Sequence, residues 1–495
     1  MLDFAAMQGL YTAEQTRTLD ARAIEGEGIP GTVLMSRAAA AAWAALLRRW
    51  PSPGLVQVLC GTGNNGGDGF LLAALAHKRG YPVSVWQLGD PERIAGDALA
   101  AREQAVSEGV AVAPYAPGCL RAEGVVVDAI LGTGLNSDVR ETQRLAIEAV
   151  NASGLPVLAI DIPSGLDADT GRELGAAVRA ARTVTFIGAK RGLYTGQGPD
   201  CCGEVQLDTL GVPAAVYAAV PAACRRLDLE SMLQALPARP AGAHKGHFGH
   251  VLVVGGEQGM GGAVALATEA ALRCGAGLVS AATRPVHVPA ILARTPEVMA
   301  HAVDSGQLLQ PLLEADVVAL GPGLGQTPWS EQLFQAALQA GGLRVVDADA
   351  LNLLARGAGG VATRREDWVL TPHPGEAARL LEVTTAEVQA DRFAAVRALQ
   401  SRYGGTILLK GNGTLVCDGE QVLLCDLGNP GMASGGMGDV LSGVIAALLA
   451  QGLAPLEAAA LGACLHGAAA DRAARQGQRG LAASDLAVHM RTLLQ

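Results

Sequence analysis

The 495-residue chain is predicted to fold as two α/β domains in series, each a parallel sheet covered by helices on both faces. Three observations predict it. Short, almost wholly apolar segments alternate with helical ones, which is how strands buried on both faces read. The length exceeds what one hydrophobic core serves. Aromatics are 3% of the residues while apolar types are 50%, so Ala, Val and Leu must build the cores, as is usual in α/β layers.

Two amphipathic helices open the chain, at about residues 12–25 and 31–50. Apolar strands then alternate with helices at 55–60, 83–88, 125–129, 157–160 and 183–186, giving a first domain over 1–220. Pro221, Pro237 and Pro240, followed by Ala241-Gly242, mark 221–240 as a linker. Within it, 227–236 has the pattern of a short helix belonging to the second domain. That domain, 241–495, starts its own alternation at 250–254. Further strands are expected at 317–320, 343–346, 368–371, 405–409, 414–417 and 422–425, with a mostly helical last quarter. No internal repeat is present, and no low-complexity segment beyond Ala-richness.

A formal net charge of −10 excludes nucleic acid as a primary partner, since that needs a basic footprint. Nine scattered cysteines without a CxxC pair read as reduced thiols of a cytoplasmic protein. No apolar run has membrane-spanning length, and residues 1–15 carry two acidic residues and no basic one, unlike a signal peptide. The chain has 33 arginines and four lysines. Three of the lysines, Lys190, Lys245 and Lys410, lie in Gly-rich segments, where a compact charge suits contact with an anion.

Ligands of open parallel sheets bind where loops leave the C-terminal strand ends. In the first half one such loop is Gly61-Thr62-Gly63-Asn64-Asn65-Gly66-Gly67-Asp68-Gly69. It is neither a dinucleotide GxGxxG nor a P-loop. Its amide and carboxylate oxygens suit a hard cation or a polar ligand. Two more are Val127-Asp128-Ala129-Ile130-Leu131-Gly132-Thr133-Gly134 and Ile160-Asp161-Ile162-Pro163-Ser164-Gly165-Leu166-Asp167. A lone Asp in such a loop is usually a turn former; three oxygen-bearing loops at one sheet edge point to a cation with an organic ligand. These three motifs, in this order, resemble the YjeF N-terminal domain, the NAD(P)HX epimerase, over about 10–215. The resemblance implies a Rossmann-like three-layer αβα fold and a K⁺ ion on Asn65, Asp128 and Ser164. It further implies hydrate contacts at Asn64, Asn65, Gly66, Gly67 and Asp68 and at Gly132, Thr133, Gly134, Leu135, Asn136, Ser137 and Asp138. Asp161 is then the catalytic acid/base and a further substrate contact.

The second half carries the most informative run in the chain, Asn429-Pro430-Gly431-Met432-Ala433-Ser434-Gly435-Gly436-Met437-Gly438-Asp439, leading straight into an apolar helix. Glycines free the backbone N–H groups to close around an anion, and the helix adds its positive end. A carboxylate there makes sense as a base for a hydroxyl about to be phosphorylated. Earlier loops are Gly321-Pro322-Gly323-Leu324-Gly325, Thr371-Pro372-His373-Pro374-Gly375-Glu376 and the turn Lys410-Gly411-Asn412-Gly413-Thr414. His373 is equally well explained as a capping residue, and the last segment as a plain Asn-Gly turn. His244, His247 and His250 have a spacing that tempts a zinc reading. Glycines break any helix there and no further ligand completes a set, so Lys245 as an anion contact is preferred.

In order, these segments resemble the YjeF C-terminal domain, the ADP-dependent NAD(P)HX dehydratase of the ribokinase-like superfamily, over about 235–495. The resemblance implies a ribokinase-like αβα fold with hydrate contacts at Ala263, Gly323, His373 and Asp439. Lys410, Gly411, Asn412, Gly413, Thr414 and Gly438 would hold the nucleotide, ADP would be co-substrate with Mg²⁺, and Asp439 would be catalytic. NADHX and NADPHX are the expected substrates, and a homo-oligomer is the expected assembly. The alternative is a small-molecule (vitamin alcohol) kinase fused to a non-catalytic Rossmann-like binding module, which would leave a stable phosphorylated product.

Overall fold

The structure is a computed structural model describing residues 4–234, 236–360 and 363–494. Two compact units emerge, Gly9–Cys224 and the pairing of Met1–Gln8 with Arg225–Gln495.

In the unit Gly9–Cys224, Thr12 starts the first helix, Ala13–Ala21. Its hydroxyl accepts from Gln15 N at 3.1 Å, while Gln15 Oε1 accepts from Thr12 N at 3.0 Å. The helix Gly31–Arg49 follows. The sheet is all parallel, in the order Val112–Pro114, Val83–Gln87, Val56–Cys60, Val125–Ala129, Val157–Ile160, Arg182–Phe186, Glu204–Asp208. Its two faces feed separate cores: Val56, Val58 and Cys60 pack into one and Leu59 into the other, as the period-2 pleat requires. The chain runs outward in one direction from Val56–Cys60 and in the other from Val125–Ala129. A crevice therefore opens between the loops leaving those two strands. Two edge strands, Val112–Pro114 and Glu204–Asp208, are absent from the sequence expectation because their polar or Pro-containing sequences lack the apolar run.

In the second unit the order is Met299–Ala302, Leu278–Thr283, His250–Val254, Val317–Leu320, Leu343–Val346, Trp368–Leu370, Thr406–Leu409, Thr414–Cys417, Val422–Cys425, Cys224–Arg226. All pairings are parallel except those of Thr414–Cys417, which runs antiparallel to both neighbours. Leu278–Thr283 escaped the sequence reading because Ser and Ala dilute its β pattern. The helix Met437–Ala450 is buried along nearly its whole length and packs on Gly261–Arg273. At the crossing a Cβ on Gly443 would lie 2.1 Å from Ala267 O, so only glycine allows that approach.

The segment expected as a linker, 221–240, is not a free connection. Arg225 and Arg226 pair in parallel with Leu423 and Leu424, and Asp228 caps the helix Leu229–Leu233, accepting from Ser231 N at 2.8 Å. Its proline-rich composition suggested a linker, but strand pairing at Arg225 and Arg226 supplied hydrogen bonds that tie it to the second unit. Residues 4–8 join this unit as well, with Gln8 O accepting from Arg226 N at 2.9 Å.

Candidate active sites

In the first unit, segments at the C-terminal ends of six strands, with the helices Ala13–Ala21 and Gly31–Arg49, surround a cavity of about 930 Å³. Asn64, Asn65 and Asp68 enter it from the helix Asn64–Lys78, which begins directly at the Gly61–Gly63 turn. Gly132, Thr133, Gly134, Leu135, Asn136, Ser137 and Asp138 form a second wall, and Asp161 a third. Gly66 and Gly67, expected among the hydrate contacts, do not line the cavity. A Cβ at Gly66 would stand 2.2 Å from Gly61 O and one at Gly67 2.7 Å from Met35 Sδ, so both serve the packing of the turn and helix.

Of the three residues assigned to a cation, Asn65 lines the cavity, while Asp128 and Ser164 lie outside its lining and connect to Asn65 through Leu131. Asp128 is fully buried; its Oδ2 accepts from Ser164 N at 2.7 Å and its Oδ1 from Ser164 Oγ at 2.5 Å. Ser164 Oγ also accepts from Leu131 N at 2.8 Å, and Asn65 Nδ2 donates to Leu131 O at 2.9 Å. Asn65 Oδ1 is buried without a hydrogen-bond partner. A buried orphan carbonyl oxygen beside a buried carboxylate is a donor set that fits a hard monovalent cation. Burial pushes Asp128 up to about 6, with the Ser164 and Ile130 bonds opposing.

Asp161 sits at the end of Val157–Ile160 with φ 64°, a left-handed conformation that is uncommon outside glycine. Its Oδ1 forms an ion pair with Lys190 Nζ and accepts from Phe186 N at 3.1 Å. Two further carboxyls face the pair. Burial, then Asp161 and Asp20, push Asp68 well above the usual range, while Lys190 opposes. Burial pushes Asp20 up to about 6, Lys190 lowering it and Asp161 raising it. Asp20 gave no sequence signal, since it lies on a polar helix face; Lys190 was expected to meet an anion, and the anion is Asp161.

In the second unit, five adjacent parallel strands deliver the site loops to one edge. They leave His250–Val254, Val317–Leu320, Leu343–Val346, Trp368–Leu370 and Thr406–Leu409. Gly323, at φ 56°, lies against Ala263: a Cβ there would be 3.0 Å from the Ala263 Cβ and 2.7 Å from Met260 O. His373 caps the helix Pro374–Leu381, its Nδ1 accepting from Gly375 N at 3.0 Å, and its ring is half-exposed. Burial, Lys410 and Arg379 hold its pKa below the usual histidine value.

The turn expected at Lys410–Thr414 is present, joining two antiparallel strands with Leu409 opposite Leu415. Lys410 Nζ meets Asp347 Oδ1 at 2.7 Å and Glu376 Oε2 at 3.8 Å. Burial works against this ammonium, but Asp347 and Glu376 more than offset it and its pKa is raised. Gly438 abuts the pair: a Cβ there would lie 3.3 Å from both Asp347 Oδ2 and Lys410 Nζ. The helix Met437–Ala450 starts at Gly436, φ 90°, and among the described residues nothing accepts from the Gly435 and Gly436 N–H groups. Asp439, in the first turn, is partly buried. Burial and Asp347, against Lys410, and then Asp349 and Glu376 push it up to about 7.

Three charged partners went unassigned in the sequence. Asp347 directly follows an apolar strand, as Asp161 does, so the same rule would have found it; Glu376 ends the Thr371–Glu376 segment singled out in the sequence. Arg392 had no local signal. Its guanidinium, 1% exposed, donates to Leu409 O and Lys410 O at 3.3 Å and to Gly413 O at 3.2 Å, holding the turn from below. Lys245 is exposed and precedes the strand His250–Val254, at the opposite end from these loops, so it does not join the site. Among the described residues no group of three or more His, Cys, Asp or Glu is placed to hold a metal, and His244 and His247 stack on each other at 3.7 Å.

Comparison with known proteins matches the family model described as NAD(P)H-hydrate dehydratase to residues 251–491 and that of the YjeF-related protein N-terminus to 31–192. The bifunctional NAD(P)H-hydrate repair enzyme of Coxiella burnetii is 48% identical, over 99% of this chain and 100% of that one. The Escherichia coli enzyme of the same name is 41% identical over 96% and 92%. A ribokinase-like superfamily protein from Enterococcus faecalis, 30% identical, superimposes with a TM-score of 0.52, covering 55% of this chain and 95% of that one. With both halves matched in order and the relatives covered almost end to end, the chain belongs to the family of bifunctional NAD(P)H-hydrate repair enzymes.

Proposed function

We propose that the chain restores hydrated NADH and NADPH, the first unit interconverting the R and S epimers and the second dehydrating the S epimer with ADP to NAD(P)H, AMP and phosphate. The observation that carries this is Asp439. It stands at the head of a buried helix behind a glycine turn with free N–H groups, and its carboxyl is poised to take up a proton near neutral pH. Asp439 removes the proton of the hydrate hydroxyl, and that oxygen attacks the terminal phosphorus of ADP, releasing AMP. The Gly435–Gly438 backbone receives the charge that develops on the phosphoryl oxygens. The ring nitrogen lone pair then expels phosphate, and loss of a proton from the adjacent carbon restores NAD(P)H. A stable phosphorylated product, as a vitamin kinase would leave, does not agree with relatives named as repair enzymes over the full length.

Ala263, Gly323 and His373 are assigned to the hydrate, and Lys410–Thr414 with Gly438 to the nucleotide. Mg²⁺ is commonly held by nucleotide phosphates with one or two carboxylates rather than by a protein cage, and Asp347, Asp349, Glu376 and Asp439 are the carboxylates that face one another here. It would neutralise diphosphate charge. K⁺ would rest on Asn65, Asp128 and Ser164 and offset the buried carboxylate. In the first unit Asn64, Asn65 and Asp68 with the Gly132–Asp138 segment receive the hydrate, and Asp161 exchanges its proton. A cytoplasmic setting agrees with nine free cysteines, and among the described residues no helix is long and apolar enough to cross a membrane. A homo-oligomer remains part of the proposal.

The test is recovery of the near-ultraviolet absorbance of NADH from its purified hydrate. The expected result is recovery only with ADP and Mg²⁺, with K⁺ speeding drainage of the R epimer. Recovery independent of any nucleotide, or a phosphorylated end product, would overturn the reading.

A further inference from the structure

We infer that Lys190 is the positioning residue of the epimerase site: it grips one oxygen of Asp161 and leaves the other, Oδ2, as the atom that exchanges protons with the hydrate. The inference rests on the reading of Asp161 as the acid/base. Lys190 is 1% exposed although it reaches the cavity wall. An ammonium has three N–H donors, and all three are engaged: with Asp161 Oδ1, with Thr185 Oγ1 at 3.0 Å and with Phe186 O at 3.2 Å. None is left for the substrate, which argues against Lys190 itself being the proton donor.

Asp161 is held just as unevenly. Its Oδ1 accepts from Lys190 Nζ, from Phe186 N at 3.1 Å and from Thr185 Oγ1 at 3.3 Å; among the described residues nothing donates to Oδ2. The residue keeps a positive φ that persists only where its surroundings over-determine it, and these three anchors do so. Asp20, from the helix Ala13–Ala21, and Asp68, from the helix Asn64–Lys78, face the same pair. Without the lysine, three carboxyls would share one cavity and mutual repulsion would favour their protonated forms.

The proton step balances with these groups alone. Oδ2 takes the hydroxyl proton while that C–O becomes C=O and the ring C–N bond breaks, its electron pair passing to nitrogen. The carboxyl then returns the proton to nitrogen. Reversal on the other face of the carbonyl gives the opposite epimer.

The experiment measures kcat/KM for epimerisation of the full-length chain against pH by epimer chromatography, with the dehydratase rate on the same preparation scaling the amount of active chain. Lys190→Met is expected to move the acid limb upward by about 1–3 pH units, the usual effect of losing an opposite charge at contact distance. Well below the displaced limb the loss should approach roughly ten- to thousandfold, and activity should recover toward wild type at pH 9. Thr185→Val, which removes one anchor and keeps the shape, is expected to shift the limb in the same direction by less. It provides the answer if Lys190→Met does not fold. A limb that stays in place in these variants, whether activity is unchanged or uniformly reduced, overturns the positioning role. Asp161→Asn is expected to abolish epimerisation at every pH; if it does not, the acid/base reading itself fails, separately from the role of Lys190.

Discussion

Replacing Asp439 by Asn keeps the shape of the side chain and removes its ability to accept a proton. The structure makes the consequence two-sided. For activity, a positioned base contributes on the order of 10²–10⁴ in turnover, so kcat should fall by that factor at saturating ADP. The wild-type profile should carry the signature of the same group. With a pKa near 7, about a tenth of the carboxyl is ionised at pH 6 and about nine-tenths at pH 8. Dehydration should therefore rise roughly tenfold across that interval. For stability the sign reverses. The folded-state pKa lies above the unfolded carboxylate value of 3.8, so the folded protein holds a proton that the unfolded chain has released. Stability contributed by the neutral carboxyl is complete below about pH 4 and is lost as pH rises through 7. At pH 8 the penalty is at most ~4 kcal/mol, and Asn, which cannot ionise, escapes it. The variant should thus melt at the wild-type temperature near pH 4 and several degrees higher at pH 8. Absorbance recovery from the purified hydrate, paired with thermal unfolding at pH 4, 6 and 8, reads both effects. Near-wild-type turnover of Asp439→Asn, or a wild-type rate that is flat from pH 6 to 8, would refute the argument.

Other substitutions test the remaining parts of the two sites. Ser164→Ala removes a hydroxyl that donates to Asp128 at 2.5 Å and accepts from Leu131 N at 2.8 Å. It should cost about 1–3 kcal/mol and abolish any rise in melting temperature on replacing Na⁺ by K⁺; an undiminished K⁺ response would remove Ser164 from the cation site. Arg392→Met frees the three carbonyls under the nucleotide turn, and KM for ADP should rise at least tenfold, while KM for the hydrate stays within about twofold. Equal changes in both constants would make Arg392 a general structural residue. Gly66→Ala places a Cβ 2.2 Å from Gly61 O, a backbone atom that cannot rotate away. Denaturant unfolding should show a loss of about 1–3 kcal/mol, with epimerisation falling and dehydration retained; an unchanged midpoint would show that the turn yields.

The outline of both sites was legible because strand ends and glycine turns are local features. Each apolar run from 55–60 to 183–186 became a strand; Asp128 stands near the end of the third, and Asn65, Asp161 and Ser164 follow strand ends. The same holds for Gly323, His373, the Lys410–Thr414 turn and Asp439. Residues that act through distant partners were not legible. Arg392 lies in a helix with an ordinary polar pattern, and its role follows from carbonyls 17–21 positions away. Asp20 reads as one more exposed acid until Asp68 and Lys190 are packed beside it.

By itself the sequence determined the alternation of strands and helices, the glycine turns and the chemical type of each loop, because period, propensity and turn chemistry act over a few neighbouring residues. The tertiary structure decided which charges meet. It joined Lys190 to Asp161 across 29 positions and Lys410 to Asp347 across 63, and it drew Arg225 and Arg226 of the segment 221–240 into a strand pairing. It also pushed Asp439 to about 7 by burying it and bringing Asp347, Asp349 and Glu376 near it. Burial and Coulomb energy depend on distance in space, and only the assembled sheet sets that distance.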